Sequence, residues 1–257
     1  MRAILTIVLA GLLPLGSPSG TRAPSTSATT SSVVMLGGHP QKLHLYGSPD
    51  GTPIIMSSGD GGWMHLAPHM AEALAVHGYY VIGFDVKAYL AAGTTSSTTL
   101  TAADVERDYG TLLDTFASAH GAILAGVSEG AGLSVMAAAA TANKPHIAAV
   151  VAVSLGDRNE LGWRWKDSII YVTKGVPNEP LFSAGALIPL VTPVPLAIIR
   201  AAHDEFVPRQ ESDRLIAAAG SPSHAWTVSA SDHRFSDNEA GFDAAMTAAL
   251  AWISTVH

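Results

Sequence analysis

Cysteine is absent from the 257 residues. Its absence excludes a disulfide framework, a thiolate metal site and a lipidated cysteine behind a signal sequence. Charge is sparse as well. Asp, Glu, Lys and Arg make up 14% of the chain, the net charge is −7, and Lys and Arg form no run. Nucleic acid and an anionic membrane surface both need clustered cations, so neither is expected as a main partner. No stretch reaches the ~20 apolar residues that span a bilayer. What the chain does have is 48% hydrophobic side chains, enough to bury a large core in one α/β domain.

The N-terminus reads Met1-Arg2, then AILTIVLAGLLPL from Ala3 to Leu15, then Gly16, Ser17 and Pro18. A short basic start, an apolar stretch below spanning length and small residues in that order form a secretory signal peptide, assigned to residues 1–19. Cleavage there would leave a periplasmic or secreted protein with no stable membrane anchor. Residues 20–32 (GTRAPSTSATTSS) are poor in apolar side chains and are expected to be a flexible leader. The folded domain is then 33–257.

From Val33 onward, strand and helix signals alternate. KLHLYG (Lys42 to Gly47) alternates polar and apolar, as a half-exposed strand would, and PIIMSSG (Pro53 to Gly59) has the continuous hydrophobicity of a strand covered on both faces. A helix is expected from about Pro68 to a stop at Gly78, followed by the strand YYVIGFD (Tyr79 to Asp85). Thr101 and Asp104 form a capping box that opens a helix to about Ala119. Later strands are expected at Ile147 to Gly156, from Pro195, and from Ala225 to His233. Helices are expected near Gln210 to Ala219 and at GFDAAMTAALAWIST. The segment from Asp157 to Pro195 is less regular. Such alternation implies a mostly parallel sheet with helices on both faces, right-handed crossovers and ligands at the carboxyl ends of the strands.

The chain is organised around AILAGVSEGAGLSV (Ala122 to Val135). A short apolar strand runs into Gly126-Val127-Ser128-Glu129-Gly130 and on into an Ala-rich helix. This is the pattern of a nucleophile elbow, in which the glycines permit a strained turn that presents the serine. Serine needs a base to take its proton and a third group to orient that base. Asp204 ends one later strand and His233 the next, in the chain order Ser, Asp, His that belongs to the α/β-hydrolases. Ser128, Asp204 and His233 are therefore the candidate catalytic triad, with Asp157 a reserve acid and His203 and His224 weaker bases. An oxyanion hole, roughly 3 kcal/mol per donor, would use the backbone N–H of Glu129 and that of Asp60, with Gly61 next, from the loop Gly59-Asp60-Gly61-Gly62.

The expected architecture is an α/β-hydrolase fold without a large cap domain. Trp63, Trp163 and Trp165 are candidate substrate-binding residues. His65 and His69 have zinc-pair spacing, but Pro68 lies between them and the chain has no His-Glu-x-x-His, so neither a metal nor any other cofactor is expected. The partner is a small-molecule or lipid ester, and the sequence leaves the oligomeric state open. The rival reading is a hydrolase-fold protein that binds a partner or lipid without turnover.

SSGDGGW (Ser57 to Trp63), GYYVIGFD, GVSEGAG, PVPLAIIRAAHDEFVP and SDHRFSDN together resemble the VirJ/AcvB group of exported α/β-hydrolase proteins, itself similar to dienelactone-hydrolase-like enzymes. The likeness runs from about Ile54 to the C-terminus, and Gly-Asp-Gly-Gly-Trp is its specific element. It implies a periplasmic protein that hydrolyses the ester between lysine and phosphatidylglycerol, some members being tied to virulence and type IV secretion. It also implies catalytic roles for Ser128, Asp204 and His233. Glu129 departs from the bulky aromatic more familiar at the elbow. Its carboxylate would favour a cationic acyl group such as lysyl.

Overall fold

The computed structural model describes residues 30–165 and 179–256. The expected signal peptide, the first part of the leader and the apolar run IIYVT (169–173) lie outside the described residues.

Ten strands are described: β1 (Thr30–Leu36), β2 (His39–Tyr46), β3 (Thr52–Ser57), β4 (Tyr79–Phe84), β5 (Ala122–Val127), β6 (Ile147–Val153), β7 (Arg158–Glu160), β8 (Leu181–Ser183), β9 (Leu196–Ala201) and β10 (Ser223–Val228). Eight of them form one sheet in the order β1-β2-β4-β3-β5-β6-β9-β10. From β4 to β10 the neighbours pair in parallel, while β1 and β2 join antiparallel at one edge. Every residue of β5 is buried and only one of β6 is not, because helices cover both faces.

The helices are α1 (Leu66–Val76), α2 (Val86–Ala92), α3 (Ala102–Phe116), α4 (Glu129–Ala139), α5 (Ala184–Leu187), α6 (Arg209–Ala218) and α7 (Glu239–Ile253). On one face α1 packs Leu66, Met70 and Leu74, and α7 packs Phe242, Met246 and Leu250, against Ile54, Val151 and Ile199. On the other face α2 to α6 bury Tyr89, Tyr109, Leu133, Ala184 and Leu215 against Ile55, Leu124 and Ile198. The Thr101–Asp104 capping box is present at α3, satisfying N–H groups whose loss costs about 1 kcal/mol.

Three expectations shift, and one helix was not foreseen. β1 begins at Thr30, inside the stretch read as leader. As an edge strand it buries little, so its residues are mostly polar or exposed, and only pairing with β2 across the Gly37-Gly38 turn orders them. The short helix α2 carried no strong periodic signal, but the Asp85 side chain caps it by accepting from Ala88 N. α1 starts at Leu66, ahead of Pro68. The last strand ends at Val228, so His233 stands in the loop beyond it rather than at a strand end. Between β6 and β9 the described residues add only the β7–β8 pair, α5 and a 3₁₀ turn at Ile188–Val191.

Candidate active site

The elbow is held by backbone packing. Ser128 caps α4 in the strained conformation φ 52°, ψ −116°, and its hydroxyl makes no bond to its own helix. Its N–H bonds the Val153 carbonyl at the end of β6, 2.9 Å. The two motif glycines are required by close approach. A Cβ on Gly126 would stand 2.2 Å from the Gly130 carbonyl oxygen, and one on Gly130 would stand 2.3 Å from that of Ser58 and 2.5 Å from that of Ser57. The spacing Gly-x-Ser-x-Gly therefore lets helix, strand and the neighbouring loop touch backbone to backbone. The first N–H groups of α4, including that of Glu129, have no acceptor within the helix and point to its N-terminal side.

The acid and histidine are held by side chains. Asp204 Oδ2 lies 2.7 Å from His233 Nδ1, while its Oδ1 accepts from the N–H groups of Phe206 and Val207 at 2.8 and 2.9 Å. Burial would raise the Asp204 carboxyl, but the His233 contact and those two N–H groups outweigh it and hold it below the usual aspartate range. His233 donates its backbone N–H to Glu205 Oε2 at 2.8 Å, and its carbonyl accepts from Ser154 Oγ at 2.9 Å. The Phe206 ring meets the imidazole edge-on at 5.3 Å.

These elements converge on a cavity of about 350 Å³ at the carboxyl ends of the strands, with Ser128, Glu129, Asp60, Gly61 and His233 in its wall. A Cβ built on Gly59 would lie 3.6 Å from Ser128 Cβ, so the glycine loop passes directly beside the nucleophile candidate. Exposed Met64 and Phe206 rim the opening. The four described non-glycine residues with positive φ are His65, Ser128, Ser154 and Phe235. The first two line this cavity and the other two flank the His233 loop, so backbone strain is concentrated at the site.

Comparison with solved structures gives the same architecture. The carboxylesterase CesB (YbfK) from Bacillus subtilis superposes with TM-score 0.65 at 14% identity, over 87% of this chain and 92% of its own. A hydrolase from Pseudomonas aeruginosa PA01 gives 0.63 at 17% identity, covering 86% and 98%. A membrane phospholipase A described as a bacterial virulence factor gives 0.65 at 10% identity, covering 90% and 88%. The chain has the α/β-hydrolase fold. Residues 51–162 match the family model described as bacterial virulence protein (VirJ), a span that holds the 59–62 loop and the elbow but ends before Asp204. No curated protein matches.

Within this hydrolase fold several expected residues stand elsewhere. None of the three tryptophans lines the cavity. Trp63 lies flat over Gly83 of β4 and stacks on His44 at 5.0 Å, with Nε1 donating to Tyr46 Oη. Trp163 is partly buried against the core beneath Lys87 Nζ, 4.7 Å from its ring. Trp165 is 78% exposed. Asp157 accepts from Ser183 Oγ and Gly185 N and so ties β7 to α5 instead of facing His233. The His224 ring packs tilted against Trp226 on β10, centroids 4.4 Å apart. His69 pairs with Asp243 of α7 at 2.9 Å, while His65 faces the cavity. Among the described residues no group of three His, Asp or Glu is arranged to hold a metal. No described helix is long and apolar enough to cross a membrane.

Glu205, Ser154 and Phe206 enter the site without having been foreseen. Adjacency to Asp204 was a signal for two of them, whereas Ser154 gave none, because its contact with residue 233 exists only once β6 and the last loop are packed together. Glu129 also differs from expectation. Its side chain is 8% exposed, and Glu160 N–H donates to Oε1 at 2.6 Å. Burial first, then the charge of Asp60, pushes this carboxyl well above the usual glutamate range. A resident carboxylate charge is disfavoured there.

Proposed function

We propose that the protein is an exported serine hydrolase that cleaves carboxylic esters through an acyl-enzyme. The observation that carries this reading is the 2.7 Å contact of Asp204 with His233 Nδ1, made beside a cavity that Ser128 enters from a strained elbow. In the proposed mechanism His233 Nε2 takes the Ser128 proton as Oγ bonds to the ester carbonyl carbon. Asp204 holds the imidazole tautomer and stabilises the imidazolium. The N–H groups of Glu129 and Asp60, with Gly61 beside them, receive the oxyanion. The carbon–alkoxy bond then breaks, and His233 returns the proton to the departing alcohol. Water, deprotonated by His233, releases the acid and restores Ser128.

The match to the VirJ family over residues 51–162 supports a narrower reading: a periplasmic enzyme acting on a lipid ester, with lysyl-phosphatidylglycerol as first substrate to try. A fluorophosphonate probe tests the chemistry. The expected result is labelling that disappears in Ser128→Ala, and absence of labelling on folded protein would favour a binding module without turnover. p-Nitrophenyl esters assayed beside lysyl-phosphatidylglycerol test the substrate.

A further inference from the structure

The scheme above uses only the backbone of Glu129. Its side chain, next to the nucleophile candidate and in the cavity wall, is buried with Oε1 engaged by the Glu160 N–H. Among the described residues no Lys, Arg or His lies within ion-pair distance of its carboxyl.

Among the described residues, the elements packed on α4 supply no counter-charge. β3, β5, β6 and α5 carry no ionisable side chains. α3 contributes Tyr109, whose phenol burial pushes up and keeps neutral. The loop after β3 and strand β7 contribute Asp60 and Glu160, whose charges disfavour a third carboxylate. Arg158, Glu211, His233 and Arg234 stand elsewhere on the cavity wall. Burial among these groups, with no counter-charge among the described residues, favours the protonated form of this carboxyl. With Oε1 accepting from the Glu160 N–H, Oε2 is the oxygen left to carry a proton.

We propose that Glu129 is a specificity-determining residue, a neutral carboxylic acid that donates a hydrogen bond from Oε2 to an oxygen on the acyl part of the substrate. It would favour oxygen-bearing acyl groups over plain alkyl ones of the same length. The inference rests on the ester-hydrolase reading, since it concerns the group transferred to Ser128.

The test compares p-nitrophenyl methoxyacetate with p-nitrophenyl butyrate, each rate corrected for its spontaneous hydrolysis. The ratio of the two kcat/KM values cancels every pH effect that both substrates share. In the wild type the ratio is expected to favour the methoxy ester by about tenfold, the worth of one hydrogen bond, and to fall as pH rises and the acid ionises. Glu129→Gln, which donates at every pH, should keep the preference and lose its pH dependence. Glu129→Met should abolish it. A wild-type ratio that is unchanged in Glu129→Met overturns the proposal. So does a preference for an amine-bearing acyl ester that vanishes in Glu129→Gln, since the side chain would then be a carboxylate counter-ion.

Infrared difference spectra of wild type against Glu129→Gln supply a readout independent of turnover. They should show the carbonyl stretch of a protonated acid, and its absence sinks the proposal even in an active enzyme. Failure of Ser128 to react with the fluorophosphonate, with that stretch present, would instead identify the hydrolase reading as the one at fault.

Discussion

The two halves of the cavity are built by different means. The Ser128 half rests on backbone against backbone: Gly126 and Gly130 leave no room for a Cβ, and Ser128 N–H is fixed by the Val153 carbonyl. The His233 half rests on side chains, with Asp204, Glu205 and Ser154 each holding a different atom of one histidine. The first arrangement is set by sterics and should be insensitive to pH. The second depends on the Asp204 carboxylate, held below its ordinary range, and should not be.

The largest test removes the group that both halves serve. Ser128→Ala should lower kcat by about 10⁶-fold while leaving thermal unfolding close to wild type, since the hydroxyl bonds nothing in its own helix. A change in the midpoint of several degrees would mean that the elbow serine is structural.

On the side-chain half, Asp204→Asn should cost about 10⁴-fold in kcat by presenting the wrong partner to Nδ1. Because the Asp204 carboxyl is held below its ordinary range, its contribution to stability is complete above that range and is lost as pH falls through the lowered value. Acid unfolding of Asp204→Asn should therefore be flatter than that of wild type. Parallel acid curves would break the contrast between the halves.

On the backbone half, Gly130→Ala should destabilise by about 2–3 kcal/mol through overpacking against Ser57 and Ser58, equally at all pH values. Chemical denaturation at two pH values measures this. A pH-dependent loss would show that the elbow is not held by sterics alone.

Smaller effects sharpen the boundary between the halves. Glu205→Ala should cost about 1 kcal/mol and loosen His233 without removing its imidazole or its contact with Asp204, so kcat falls far less than in Asp204→Asn. Glu129 brings a titrating group into the steric half. Its folded-state value lies above the ordinary glutamate range, so the folded state binds the extra proton, and stability declines as pH rises from that range through the raised value. Calorimetry of Glu129→Gln should show this decline removed.

The contrast also explains what could be read before the fold was seen. Ser128, Asp204 and His233 could be singled out as triad candidates because such chemistry restricts residue type and chain order, and apolar runs such as those of β5 and β6 advertise burial on both faces. The tryptophans were not legible in this way. Trp63 follows the glycine loop in sequence, yet its ring lies on Gly83 and His44, because an aromatic residue packs wherever apolar surface is open. β1 escaped notice because an edge strand needs a partner more than it needs hydrophobic residues.

By itself, the sequence determined the alternation of strands and helices, the elbow spacing and the chain order of Ser128, Asp204 and His233, all of which are local patterns or consequences of residue chemistry. Only the tertiary structure decided that Ser154 and Glu205 hold the backbone of His233, that Asp157 ties β7 to α5, and that the enclosed Glu129 has no Lys, Arg or His within ion-pair distance among the described residues. Each of these depends on which distant segments meet and on how much water remains between them, and a one-dimensional pattern does not encode that.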